Sequence, residues 1–228
     1  MLGLVLIKAG FDPTVIIGTK LKELNNANCR VGKSKYLIIE ADEHMASFLN
    51  YRPQVIILTN IEREHLDFYK NLNRILATFK KYISFLPASG ELIANKDDKN
   101  ARRLASLARQ KKVYFSLKDR EAKKIREILK VPGEHNISNA LAVFQTAKFL
   151  KIPEKVILKS LSEYKGAWRR FEVSKKSIGG KKITLISDYA HHPTEVKVTL
   201  EALLQKFKSA KKKVVCIFQP HQYQRTFY

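Results

Sequence analysis

Short apolar runs alternate with segments of helical period along most of this chain. KYLIIEA (35–41) and QVIILTN (54–60) are apolar stretches closed by polar residues, the pattern of short buried strands. NLNRILATFKKYISFL (71–86) spaces its apolar residues as a helix does, and Pro87 and Gly90 end it. ELIAN (91–95) and KVYFS (112–116) predict further strands, with a helix over NARRLASLARQ (100–110) between them. HNISNALAVFQTAKFL (135–150) predicts a strong amphipathic helix, and PEKVILKSLSEY (153–164) another with Pro153 in its first turn. After Gly166 the pattern restarts. RRFEVS (169–174) and KITLISD (182–188) predict strands, PTEVKVTLEALLQKF (193–207) a helix and KVVCIFQ (213–219) a strand. This alternation predicts an α/β fold with a mostly parallel sheet. No internal repeat or low-complexity tract interrupts it.

Ligands of such sheets collect beyond the carboxyl ends of the strands. The polar residues falling there are Glu40, Asp42 and Glu43, then Thr59, Asn60 and His65, then Asp188, His191 and His192, and finally His221. None of the six histidines falls within a predicted amphipathic helix; all sit in loops or helix starts. The carboxylates of EADE (40–43) suit a hard cation such as Mg²⁺, though alone they would equally suit a solvated loop. VPGEHNISNALA (131–142) is a turn leading into a helix N-terminus. Free N–H groups and asparagines there suit a base or phosphate as readily as plain capping. Adjacent His191 and His192 lack a third soft ligand at zinc spacing, which argues against zinc. ANCRVGKS (27–34) imitates a phosphate-binding loop, but its first position is Ala27 where glycine is needed and it leads into a strand. It is set aside.

Composition adds bounds. Hydrophobic residues make up 45% of the 228, enough for a packed core and too many for a disordered chain. No apolar run reaches the roughly 18 residues of a membrane span, and the opening MLGLVLIKAGFDP carries its basic residue on the wrong side for a signal peptide. Cys29 and Cys216 are too few for a disulfide framework, so a cytoplasmic protein is expected. The net charge of +22 fits an anionic ligand such as a nucleotide. It also keeps a nucleic-acid binder open, although the lysines are scattered and not interleaved with aromatics on one element.

AGFDPTVIIG (9–18), IIEADE (38–43), PQVIILTNIEREHLDFY (53–69), VPGEHNISNALA, GAWRRFE (166–172), DYAHHPTEV (188–196) and FQPHQYQRT (218–226) together resemble the Mur ligases, in family order and over nearly the whole chain. Within that family the strings are most similar to the members that add L-alanine to UDP-N-acetylmuramate. The murein tripeptide-recycling branch shares the HHPT region and comes second. The resemblance implies a mostly parallel, central ATPase-like domain over 1–165 and a partial Rossmann-like C-terminal domain over 166–228. It implies ATP and Mg²⁺, an acyl phosphate formed on the muramate carboxylate, and attack on it by the amine of L-alanine. Carried over position by position, Glu40 and His65 are implied for Mg²⁺, and Asn136, Asn139, Arg170, Asp188 and Tyr189 for the nucleotide. His65, His192 and Arg225 are implied near the chemistry.

Several features depart from the family pattern. The glycine-rich phosphate loop and the UDP-binding domain are expected upstream of residue 1, and the C-terminal sheet is expected to continue beyond Tyr228. Between KVYFS and VPGEHN the family carries extra strands, where this chain has only SLKDREAKKIREILK. Ser187 stands in place of a frequent Asp, and Gln222 in place of a usual Arg, which removes a guanidinium charge. The 228 residues alone are therefore expected to ligate nothing without a complementing chain that carries the missing segments. A non-catalytic remnant and a basic nucleic-acid binder remain the alternatives.

Overall fold

A computed structural model describes residues 1–208 and 213–220. Its centre is a parallel three-stranded sheet, β4 (Val55–Leu58), β5 (Glu91–Asn95) and β6 (Lys111–Phe115), with β5 in the middle. Apolar side chains line both faces of β5, so Leu92, Ile93 and Ala94 are all fully buried, as a parallel strand covered by helices on both sides must be. Leu92 and Ala94 join Ile56 and Leu58 on the face covered by α3 (Leu72–Ile83) and α4 (Lys99–Leu107). Ile93 points the other way, into a core built on α6 (Glu134–Phe149) and α7 (Glu154–Ser162). Asn71 and Asp98 cap α3 and α4 by accepting from the Arg74 and Ala101 N–H groups.

A second small sheet has β1 (Thr14–Leu21) in the middle, antiparallel to β2 (Ala27–Arg30) and parallel to β3 (Leu37–Ile39). β2 is the string that imitates a phosphate loop, and here it is one arm of a hairpin that returns toward β3. Helix α1 (Leu2–Lys8) precedes β1 and buries Leu4, Val5 and Leu6. Neither α1 nor the β1–β2 hairpin is expected from the apolar pattern, because Thr14–Leu21 mixes Gly and Lys into its apolar run.

SLKDREAKKIREILK stands where the family pattern has extra strands. It contains α5 (Arg120–Ile128), which buries Ala122 and Ile125 at helical spacing. Two pairs dock it: Lys124 Nζ with Glu154 Oε1 at 2.8 Å, and a two-pronged Arg126–Glu134 contact at 3.0 and 2.7 Å. The carboxyl-terminal part holds an antiparallel hairpin, β7 (Glu172–Ile178) with β8 (Lys181–Ser187), followed by α8 (Pro193–Lys206). Two expected strands are corrected here. Arg169, Arg170 and Phe171 form a turn before β7, because Arg169 and Phe171 take positive φ (54° and 51°), which no strand allows. Residues 213–219 are not a strand either: among the described residues nothing pairs with them, and Val215 and Ile217 are 76% and 94% exposed.

Candidate active site

The loop after β4 (Thr59–His65) is held from beneath by two asparagines. Asn95 Nδ2 donates to the Thr59 carbonyl at 2.9 Å and Asn100 Nδ2 to the Ile61 carbonyl at 2.7 Å. These bonds satisfy carbonyls that have left the sheet, and Ile61 anchors the loop in the core. The chain then enters a short helix, α2 (Leu66–Tyr69), through His65, whose φ of 51° is left-handed.

His65 meets the loop that follows β3. Its Nε2 lies 3.4 Å from Glu43 Oε1, and its ring lies against that of His44 with 4.5 Å between centroids. One ligand atom each of Asp42, Glu43 and His65 falls within 4.8 Å of the other two. The Tyr69 hydroxyl donates to the Glu43 carbonyl and joins the two loops. Met45 and Ala46 follow in left-handed conformation. Glu40 lies outside this trio: its carboxylate accepts the Gly18 N–H at 2.8 Å. Gly18 permits that approach, since a Cβ there would come within 3.3 Å of Glu40 Oε1.

The first turn of α8 faces the same loop. Thr194 Oγ1 donates to Glu62 Oε2 at 2.7 Å, and His192 Nδ1 lies 3.3 Å from the same oxygen. His192 Nε2 is 3.8 Å from Glu64 Oε2. Glu195 closes a capping box on α8 by accepting the backbone N–H groups of His191 and His192. Burial pushes the Glu195 carboxyl up, but those two N–H bonds, Arg170 and His191 outweigh it and hold it below the usual range.

Arg170 Nη1 approaches Glu195 Oε1 at 3.7 Å, and the turn that carries this arginine is tied to the end of β8. Asp188 uses one oxygen for the Phe171 N–H (2.7 Å) and the other for the Ala190 N–H (2.8 Å). The Tyr189 N–H donates to the Arg169 carbonyl, and the Arg169 guanidinium lies 4.8 Å over the Tyr189 ring.

Asn136 and Asn139 sit on the first turns of α6. Asn136 Nδ2 donates to the Pro132 carbonyl at 2.7 Å, while Asn139 is exposed. His135 precedes them, and its Nδ1 is buried without a hydrogen-bond partner among the described residues. Burial lowers its pKa, with Asp188 opposing and Arg170 reinforcing. Gly133 is required beside it: φ is +99°, and a Cβ would stand 2.5 Å from the imidazole. Arg225 and His221 lie outside the described residues.

Two chain segments far apart in sequence thus converge on the end of β4 with carboxylates, imidazoles and a guanidinium. Residues 19–147 match the Mur ligase middle domain and residues 169–226 the Mur ligase glutamate ligase domain. The chain belongs to the Mur ligase family. Over 237 aligned positions it is 42% identical to a UDP-N-acetylmuramate–L-alanine ligase of Clostridium acetobutylicum, covering 94% of this chain and 50% of that one. A ligase of the same name from Persephonella marina is 37% identical over 245 positions, covering 100% and 52%. That alignment is longer than the chain, so the Persephonella ligase carries residues that this chain lacks. The crystal structure of the Thermotoga maritima UDP-N-acetylmuramate–alanine ligase superposes with a TM-score of 0.78 at 27% identity, over 97% of this chain and 54% of the other. This Mur ligase chain spans about half the length of the curated relatives it matches.

Sequence reasoning missed Glu62, Thr194 and Glu195 as members of the site. Glu195 carries a readable signal, since it stands three residues after His192 at capping-box spacing. Glu62 carries none beyond following a strand.

Proposed function

We propose that this chain contributes the nucleotide-facing part of an ATP-dependent ligase that joins L-alanine to the carboxylate of UDP-N-acetylmuramate in the cytoplasm, as a step of peptidoglycan precursor synthesis. The observation that carries the reading is the convergence of the Asp42–Glu43–His65 trio with the first turn of α8 at the end of β4. In this reading residues 1–165 form the central domain and 166–228 the start of the C-terminal domain.

Two carboxylates and an imidazole within 4.8 Å of one another suit a hard cation that keeps part of its water shell. Asp42, Glu43 and His65 would hold Mg²⁺, with Glu40 on the acidic rim beside them. ATP supplies the phosphoryl group that activates the carboxylate, and Mg²⁺ neutralises phosphate charge. The protein's share is then positioning and electrostatics. Asn136, Asn139, Arg170, Asp188 and Tyr189 are read as the nucleotide side: Asp188 and Tyr189 brace the turn that aims Arg170, and exposed Asn139 and Tyr189 offer an amide and a ring face. His192 and Arg225 are read as the groups beside the reacting carboxylate and incoming amine, with Glu62 fixing the ring of His192.

The 228 residues contain no glycine-rich phosphate loop ahead of a helix, so the reading includes a polypeptide carrying that loop and the UDP-binding domain. Phosphate release from ATP, measured with UDP-N-acetylmuramate, L-alanine and Mg²⁺, tests it. Turnover is expected only when that segment is supplied. Turnover by residues 1–228 alone would overturn the need for it, and silence in both arms from a folded sample would leave a non-catalytic remnant.

A further inference from the structure

A cleft of about 450 Å³ opens where the β1–β2 hairpin, the segment before α6 and the two ends of the carboxyl-terminal part meet. Lys20 and Lys22 enter it from the hairpin side, and Lys130 from the approach to α6. Lys165 and Arg170 enter from the connecting segment, and Lys206 from the end of α8. Glu172 is the one carboxylate in the wall, and its Oε2 accepts the Arg169 N–H at 3.3 Å.

Carboxylates neutralise few of the cations that line this cleft. Arg170 is shared with Glu195, and Lys20 lies 5.4 Å over the Trp168 ring. Lys22, Lys130, Lys165 and Lys206 make no ion pair among the described residues. The plain alternative is a solvated basic surface, with Lys206 merely complementing the negative end of α8. Two things weigh against it. The cations come from four separate elements and face one space, and Val131, Phe171 and Val173 give that space apolar walls. Like charges around a low-dielectric concavity focus a positive potential that an anion would relieve.

We propose that this cleft is a second anion site, built for a small, multiply charged phosphate compound. Its volume is that of a small-molecule pocket, and ammonium groups bind phosphate as point charges without needing the planar fork of arginine. Half-exposed Trp168 offers an apolar face at the rim for an organic part of the ligand. A nucleic-acid groove would instead need a basic stripe that continues past the cleft. The site lies apart from the cation trio at the end of β4, and Arg170, read above as a nucleotide contact, also lines it. α8 separates His192 at its start from Lys206 at its end by about 21 Å of helix, and none of Asp42, Glu43, Glu62 or His65 lines the cleft. Because its walls come from both halves of the chain, an anion bound there ties the carboxyl-terminal part to the β1–β2 hairpin and stabilises their present arrangement by mass action.

Pyrophosphate titrated calorimetrically into the full chain is the test, at near-physiological ionic strength and with EDTA present so that the Asp42–Glu43–His65 trio is free of cations. Saturable binding to one site is expected, with an upward shift of the thermal midpoint. Lys22→Glu/Lys165→Glu, which reverses one cation on each of two segments, should weaken it at least tenfold. Lys80→Glu/Lys81→Glu on α3, with the same change in net charge, should leave it unaltered. Lys206→Ala, a milder change, should weaken it severalfold, and circular dichroism confirms that each variant folds. Equal loss in both charge-reversed pairs would mean that net charge alone attracts the anion, and would overturn the site. So would the absence of saturable binding to the unaltered chain. Displacement of pyrophosphate by duplex DNA, with a salt slope of several phosphates, would make the cleft part of a nucleic-acid surface and overturn it as well.

Discussion

Thr194 and Glu62 meet at 2.7 Å across 132 positions of sequence, and the oxygen that accepts the hydroxyl also lies 3.3 Å from His192 Nδ1. One carboxylate therefore fixes both the helix start and the rotamer of the histidine that precedes it. Glu62 rides on a loop whose own carbonyls are held by Asn95 and Asn100, so the restraint runs back to the central sheet.

A double-mutant cycle measures that restraint. Glu62→Ala and Thr194→Val are each expected to destabilise the fold, and the double variant should lose less than the sum. The expected coupling is about 1 kcal/mol, the usual size for a half-exposed hydrogen bond to a charged group. Urea denaturation of the four proteins supplies it, and simple additivity would show that the contact carries no energy.

Acid should loosen the joint through His135. Burial holds its folded pKa below the ordinary 6.5, so between the two values the unfolded chain binds a proton that the folded chain does not. Stability contributed by the neutral ring is then complete above pH 6.5 and is lost as pH falls through the folded pKa. His135→Gln should flatten that part of the stability profile. Urea midpoints at pH 7.5 and 5.5 check it: the unaltered chain should lose more between them than the variant, and equal losses would assign the acid sensitivity elsewhere.

The sequence made the parallel sheet legible because β4 and β5 carry apolar residues on both faces and read as apolar runs, while the edge strand β6 shows only Val113, Tyr114 and Phe115 after two lysines. The α1 helix and the β1–β2 hairpin were hidden for the opposite reason: Gly18, Thr19 and Lys20 dilute the strand, and half its length is a surface. The resemblance drew Glu40, His65, Asn136, Arg170, Asp188 and His192 to attention, but not what holds them. That Asp188 spends one oxygen on the Phe171 N–H of a left-handed turn, or that Glu62 reaches across to α8, depends on contacts between residues far apart in the chain. Periodicity cannot express such contacts. The strand expected over 213–219 failed for a related reason, since an apolar run becomes a strand only when a neighbour completes its ladder.

Gly133 should tolerate no side chain. Its φ of +99° already strains any L-residue, and the added Cβ of Gly133→Ala would collide with the His135 ring and press on Ala202 of α8. A loss of roughly 1–3 kcal/mol is expected from the backbone alone. His135→Ala in the same background should recover part of it by clearing the collision. Thermal unfolding of the single and double variants checks both statements, and a neutral Gly133→Ala would mean that the turn before α6 can rearrange freely.

Metal affinity separates the trio from its neighbour. Asp42, Glu43 and His65 already converge, whereas Glu40 would have to leave the Gly18 N–H to bind a cation directly. Mn²⁺ can stand in for Mg²⁺ and is readily followed by paramagnetic resonance. Glu43→Gln and His65→Ala each remove a ligand, and their cost should at least match the roughly 10–100-fold typical of losing an outer-shell partner. Glu40→Gln should cost less, because it removes charge from the rim and leaves the three ligands in place. Tyr69→Phe frees the Glu43 backbone from its tether and should fall between these two effects. Equal losses for Glu40→Gln and Glu43→Gln would mean that Glu40 abandons Gly18 when the cation arrives, and that the loop after β3 rearranges around the metal.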